Sequence, residues 1–351
     1  MSSQSVSVAV VESPLQLLGA LEAHAAGLAG PRTEIRVRSG VPALDAAART
    51  IDASGLPAGV RMHLGATADD VSAAPRGAWL VGDAFSGQWQ TAFVRRSPRG
   101  QVVLLDDGLA TVTLARALVA GTPAVRASRR SSGVTGTARA ALGSMVTRKL
   151  RRLAKQGRVT LFTAMPLDVP LMTHLHGIGV DVVTHRFEWL ATRQAPVAPG
   201  EHTVVVGSGL VADGWVRADP YVDWIRNLTV DGPVAYLPHR RHDPDVLARI
   251  AAIPGVRVDE PGLPVEMRLR GLRPPQRVVC LPSTAYVLLD AMHASTGVRI
   301  HALPVPDDWW TGKAAPDVRE HLSSVLALRP SRMRADEIRA QARENAVRPN
   351  A

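Results

Sequence analysis

The segment VSVAVVESPLQLLGALEAHAAGLAGPRTEIRV, residues 6–37, sets out one strand–helix–strand unit. Val6–Val11 is a β-branched apolar run without strict alternation, the pattern of a strand covered on both faces. Leu15–Ala26 carries a helical period, and Glu34–Val37 is a second short strand. The alternation then repeats. Val60–Leu64, Trp79–Val81, Val102–Leu105, Val159–Phe162 and Val180–Val183 read as strands, with Ala43–Ala53 and Leu109–Val119 as helices between them. A second set follows in Thr203–Val206, Val234–Leu237, Val256–Val258, Val278–Leu281 and Val298–His301. Helices are expected around Tyr221–Asn227, Pro244–Ala252 and Tyr286–His293. Strands separated by helices predict parallel sheets covered on both sides. The chain thus divides into two α/β units, with a seam near Ala195–His202 where Pro196, Pro199 and Gly200 cluster. Arg334–Asn345 reads as a charged, alanine-rich helix, and no internal repeat is visible.

The length of 351 residues suits two domains, and 46% hydrophobic residues supply two ordinary cores. Forty-one basic and 31 acidic side chains give a net charge of +10, nearly all from arginine; the lysines are Lys149, Lys155 and Lys313. A single cysteine, Cys280, excludes a disulfide scaffold and a cysteine-rich metal site. No apolar run approaches the ~20 residues of a membrane-spanning helix. Residues Met1–Glu12 lack the layout of a secretory signal. A cytoplasmic protein is expected. Aromatic residues make up only 4%, too few for base-stacking platforms, so no nucleic-acid partner is expected.

Charge is unevenly spread. Leu109–Leu167 contains no acid, while eleven Arg or Lys lie between Arg116 and Arg158. Ser131–Thr137 reads as a Ser/Gly/Thr-rich loop. Gly143–Gln156 reads as a basic helix whose apolar residues are Met145, Leu150 and Leu153. Two explanations stand: a solvated basic surface, or a surface for an anionic membrane or polyanionic substrate.

Three strand ends carry chemistry-bearing residues. Leu104-Leu105-Asp106-Asp107-Gly108 puts adjacent acids after an apolar strand. One acid can face a cleft while the other holds the turn, and repulsion with partial burial raises a carboxyl pKa toward the range of a general base. Without such chemistry the motif is an ordinary turn. Tyr236-Leu237-Pro238-His239-Arg240-Arg241-His242-Asp243 closes a second-unit strand with groups suited to phosphate. It reads equally as a polar loop before a helix, and His239 with His242 makes a weak metal pair. Leu281-Pro282-Ser283-Thr284-Ala285 either caps a helix or binds phosphate through hydroxyls and free N–H groups. Glu266 precedes it. Gly207-Ser208-Gly209 with Ala212 matches a dinucleotide-binding glycine pattern. Gly214 and Pro220 leave no room for the long helix that pattern needs, so a glycine turn facing a cleft is expected instead.

The order of these pieces resembles the bacterial sialyltransferases of GT-B type, most closely the capsular polysialyltransferases. An Asp-Asp-Gly motif precedes a His motif, a Glu and a Ser-Thr pair, and Val11-Glu12-Ser13-Pro14-Leu15-Gln16-Leu17 is similar to the first-strand turn of these enzymes. The resemblance covers Val6 to Leu303. It departs at Arg240, where many relatives carry proline after the histidine. It implies an α/β GT-B fold of two Rossmann-like parallel-sheet domains facing a central cleft: 1–198 on the acceptor side, 199–310 for the nucleotide sugar, and a helical segment 311–351 packing back on the first domain.

The resemblance further implies an inverting, metal-independent transfer of sialic acid, or a related nonulosonic acid, from its CMP-activated donor to a glycan hydroxyl, once or in polymerisation. Asp106 would be the base and His239 the contact to the donor phosphate. Asp107, Gly108, Gly207, Ser208, Gly209, Arg240, Glu266, Ser283 and Thr284 would bind substrate. Ser13, Gln16, Gly82, Asp83 and Ser86 would lie on the acceptor side. No cofactor is expected beyond the donor. Asp243-Pro244-Asp245 reads as a helix cap and not as a metal site. The acceptor would be polyanionic or lipid-linked, with peripheral membrane contact through Arg116–Arg158 on the inner face of the plasma membrane. The alternatives are a GT-B transferase using a UDP- or GDP-sugar, and a non-catalytic basic protein that binds glycan or nucleic acid.

Overall fold

The computed structural model describes residues 5–66, 77–96, 98–126, 134–260 and 263–328. The chain forms two units, the first running to Arg193 and the second covering Gln194–Pro330. The break falls just before the proline-rich seam expected at Ala195–His202.

The first unit runs β1 (Ser7–Val11), α1 (Pro14–Ala25), β2 (Thr33–Arg38), α2 (Pro42–Ser54), β3 (Val60–Ala66), β4 (Trp79–Val81) and α3 (Gly87–Arg95). It continues with β5 (Val102–Leu104), α4 (Leu109–Ala120), α5 (Val134–Ala154), β6 (Val159–Thr163), α6 (Val169–Gly177), β7 (Asp181–Thr184) and α7 (Glu188–Ala191). Its sheet is parallel, in the order β3-β2-β1-β4-β5-β6-β7. Strand order reverses between β1 and β4, the switch point where open α/β sheets bind ligands.

The second unit runs β8 (Thr203–Val206), α8 (Gly209–Ala212), α9 (Ala218–Leu228), β9 (Val234–Leu237), α10 (Pro244–Ala251) and β10 (Val256–Val258). Then come α11 (Val265–Arg268), β11 (Arg277–Cys280), α12 (Thr284–His293), β12 (Arg299–Ala302) and α13 (Pro316–Ala327). Its parallel sheet has the order β10-β9-β8-β11-β12, with its switch point between β8 and β11. The two Rossmann-like units expected of a GT-B chain are therefore both present.

Local chemistry fixes the ends of these elements. Asp168 and Asp243 accept N–H bonds at the starts of α6 and α10, each with proline in the first helical turn. The Asp243-Pro244-Asp245 run is thus a cap, as expected. α1 buries Leu17, Leu18 and Leu21, and the strands bring Val11, Ile35 and Val37 into the same core. The sheet face needs this apolar cover from the helices that cross it.

Three expectations need correction. α5 begins at Val134, inside the stretch read as a loop, while Ser131–Gly133 lie outside the described residues. Within α5, Val146 joins Leu150 and Leu153 in the core and Met145 is 41% exposed. Spacings of four and three residues keep Val146, Leu150 and Leu153 on one face, and Met145 is rotated off it. Finally, of the segment 311–351 expected on the first domain, the α13 part packs in the second unit, where Leu322 joins the core of Trp309, Ile225 and Tyr221. Its apolar stripe finds cover close by in the chain. Arg334–Asn345 lies outside the described residues. Among those residues no helix is long and apolar enough to cross a membrane.

Candidate functional site

In the first unit, polar groups gather where β1, β4 and β5 end. Gln16, buried in the first turn of α1, accepts the Glu12 N–H through Oε1 at 2.8 Å and donates from Nε2 to Asp107 Oδ1 at 3.0 Å. The other Asp107 oxygen is paired with Arg126, which also lies 3.2 Å from Asp83 Oδ2. Asp83 Oδ1 accepts the Phe85 N–H at 2.8 Å, and Arg126 sits over the Phe85 ring. Ser13 caps α1, and Ser86 Oγ is 3.5 Å from Glu12 Oε1. Gly82 makes room for the amide: a Cβ there would lie 2.5 Å from Gln16 Oε1, so any side chain would displace it. Of the acceptor-side residues expected from sequence, Gln16 bonds Asp107, Asp83 shares Arg126 with it, Ser13 and Gly82 adjoin Gln16, and Ser86 reaches Glu12. A cavity of about 30 Å³ adjoins them, lined by residues that include Val10, Trp79, Trp89, Glu12 and Asp83.

Burial drives the Asp107 carboxyl up to about 6, with Arg126 opposing the shift and Asp83 adding to it. That value suits a group exchanging a proton near neutral pH.

Asp106 has a different setting. It is 0% exposed. Thr163 Oγ1 and the Ala164 N–H donate to its two oxygens, and His185 Nε2 stands 3.6 Å from Oδ2. Of the two acids, Asp106 is turned into the core and Asp107 is the one left partly exposed at the strand ends. The backbone enters α4 through Gly108, whose φ of 63° suits glycine. This turn carries the Asp106 side chain back toward β6 and leaves Asp107 at the strand-end cluster.

Glu22, His185 and Glu188 also approach one another, each offering a ligand atom within 4.8 Å of the others. Both Glu22 oxygens already accept N–H groups, from Trp189 and Leu190, and Glu188 accepts that of Arg186. These acids serve as caps for the turn into α7.

In the second unit the expected donor residues converge on the switch point. Gly207 follows β8 and donates its N–H to Leu237 O at 2.8 Å, so the glycine turn lies beside the loop leaving β9. A Cβ on Gly207 would stand 2.7 Å from Tyr236 Oη, and one on Gly209 would stand 2.8 Å from His239 Cε1. The imidazole therefore rests directly on the glycine turn. His239 Nδ1 lies 3.1 Å from the Arg241 N–H and 3.3 Å from the Arg241 carbonyl; in the tautomer that accepts the shorter bond, Nε2–H is left as a donor. Burial lowers the His239 pKa, with neighbouring Arg241 and Arg240 adding to the effect, and favours the neutral ring. Arg241 pairs with Asp213 at 2.7 Å, while Arg240 is exposed beside the histidine.

Ser208 caps α8, which ends after four residues, as Gly214 requires. Ser283 Oγ accepts the Tyr286 N–H at the start of α12, and Thr284 is the first residue of that helix. Ser283 is thus a cap. Because β11 pairs with β8, its loop adjoins the glycine turn. Glu266 lies in the first turn of the short helix α11, which packs against α12, and burial pushes its carboxyl up.

Part of the basic stretch is structural. Lys149 Nζ donates to Phe93 O and Arg96 O at 2.5 and 2.8 Å, where α3 ends. Arg151 donates to Leu118 O and Val119 O at the end of α4, and Arg158 to Pro98 O and Gly100 O. Arg129 and Arg130 lie outside the described residues.

Sequence reading missed Arg126, Tyr236 and Tyr221. Arg126 stands in a run of surface arginines with no local mark of its pairing with Asp107, 19 residues earlier. The two tyrosine hydroxyls meet at 3.3 Å beneath the glycine turn, and only the packing of α9 against β9 brings them together.

No family model matches the chain, and no curated protein matches it. Solved structures that it resembles include a protein assigned as a UDP-N-acetylglucosamine 2-epimerase from Listeria monocytogenes, with 14% identity over 87% of this chain and 81% of that one, at a TM-score of 0.46. A UDP-glucose:anthocyanidin 3-O-glucosyltransferase in complex with UDP shows 11% identity over 97% and 99% of the two chains, at 0.45. The Escherichia coli heptosyltransferase WaaC with an ADP-heptose analogue shows 15% over 91% and 99%, at 0.39. Similarities at this level assign neither a family nor a substrate.

Proposed function

We propose that this protein is a glycosyltransferase of GT-B type that moves a sugar from a nucleotide-activated donor to an acceptor hydroxyl. One observation carries the reading: each unit, by itself, collects its polar groups at the carboxyl ends of the strands flanking its switch point. The first presents an acid with a raised pKa, held by Gln16 and Arg126. The second presents an imidazole N–H, an exposed guanidinium, a close-packed glycine turn and the start of a ten-residue helix. An acid able to take a proton and a set of phosphate-binding donors are the two parts a direct displacement at a sugar carbon requires.

In this mechanism Asp107 takes the acceptor proton in place of Asp106, while Arg126 and Gln16 keep it oriented. His239 donates through Nε2–H to a donor phosphate oxygen, Arg240 adds charge, and the α12 N-terminus adds backbone N–H groups. An imidazole N–H donor beside one exposed guanidinium, together with a helix start, favours a nucleoside diphosphate sugar over CMP-sialic acid, whose nucleotide has a single phosphate.

The test is thermal stabilisation by UDP, GDP, ADP and CMP, followed by nucleotide release from the matching sugar donors. Stabilisation by a nucleoside diphosphate, with release dependent on acceptor, is expected. Stabilisation by CMP alone would return the donor to CMP-sialic acid. No stabilisation by any of them would leave a non-catalytic binding protein.

A further inference from the structure

We propose that the outward face of α5 docks the protein on an anionic lipid bilayer. α5 buries Val146, Leu150 and Leu153. Its exposed stripe runs Ala138, Ala141, Met145, Arg148 and Arg152, and continues to Lys155 just past the helix end. Steps of three and four residues keep these side chains in one line about 25 Å long. Exposed Arg139 neighbours the line, and exposed Arg95 ends α3 beside it, where Lys149 reaches the Phe93 and Arg96 carbonyls.

The stretch of sequence around α5 is poor in compensating charge, and the acid that follows it in space is Asp181, beyond Gly179, which packs on Ala154. Ala84–Leu167 holds fourteen Arg or Lys and two acids, Asp106 and Asp107. Asp106 is fully buried, and Asp107 is paired with Arg126. α3, α4 and α5 contribute no carboxylate at all.

Two features select a bilayer over a nucleic acid. Met145, 41% exposed, stands on the stripe one turn before Arg148, so the face pairs an apolar anchor with a basic flank. That is the composition of a helix lying in the headgroup plane, with long basic side chains reaching anionic lipid. Among the described residues from Phe85 to β6, aromatic stacking platforms are lacking: Trp89, Phe93 and Phe162 are buried, and Phe85 lies beneath Arg126. The inference is independent of glycosyl transfer.

Full-length protein is sedimented with phosphatidylcholine vesicles, with and without phosphatidylglycerol. Binding only to the anionic vesicles, weakened by salt, is expected. Arg148→Glu with Arg152→Glu should lower partitioning about thirtyfold or more, and Met145→Ser severalfold. Arg226→Glu with Arg249→Glu in the second unit is the charge-matched control and should leave partitioning unchanged. Circular dichroism and melting temperature confirm that each variant is folded. Equal binding to neutral vesicles, or indifference to the α5 reversal in a folded variant, overturns the proposal. So does loss of binding to a single-stranded oligonucleotide in that variant while vesicles are ignored throughout.

Discussion

Asp106 and Asp107 are adjacent in sequence and opposite in setting, so their substitutions separate structure from chemistry. Asp107→Asn should lower kcat about a hundredfold or more while the fold persists, since a positioned base contributes that much. Asp106→Asn should instead lower stability by about 1–3 kcal/mol, because an amide nitrogen replaces an oxygen that accepts a buried hydrogen bond. Thermal melts beside kinetics distinguish the two. The pH dependence follows from burial of Asp107. Its folded pKa of about 6 lies above the ordinary 3.8, so ionisation costs nothing below about pH 4, increasingly more between 4 and 6, and its full amount above. The full cost is on the order of 3 kcal/mol. Asp107→Asn removes it, so the variant should match or exceed the parent in melting temperature at pH 7.5 and lose that advantage toward pH 4. On the same titration, the kcat/KM of the parent should rise through about pH 6.

Elements are held by contacts that the residue types alone do not announce. Lys149 and Arg151 terminate α3 and α4 by bonding their last carbonyls, in the way that cations stabilise helix C-termini. Lys149→Met should cost about 1–3 kcal/mol, whereas Arg148→Met, one position earlier and exposed, should change stability by under about 0.5 kcal/mol. Urea titration of both variants reads the difference directly. At the turn after β8 the constraint is space. Gly209→Ala places a methyl within 2.9 Å of His239 Nδ1, so the imidazole must move. Nucleotide affinity should fall about tenfold or more, with little change in melting temperature. Unchanged affinity measured by calorimetry would show that His239 does not bind the donor.

For the whole molecule, the proposed transfer assigns the acid to one unit and the nucleotide to the other, so nucleotide binding by Asp107→Asn should equal that of the parent even where turnover is lost. Gly209→Ala should show the reverse order of defects. The sequence by itself determined the alternation of strands and helices, the two-unit division near residue 195, the short helix after Gly209 and the cap at Asp243. Each of these follows from local periodicity, proline and glycine placement, or side-chain capping. It also marked every strand end where the polar groups lie, because parallel sheets expose those ends. Tertiary structure alone decided which of two neighbouring acids is buried, since the choice depends on Thr163 and Ala164 arriving from β6. It decided that Arg126 pairs with Asp107, that Tyr221 and Tyr236 meet beneath the glycine turn, and that α13 stays with the second unit. These outcomes depend on partners far apart in the chain, and no short-range pattern encodes which partner a buried polar group will find.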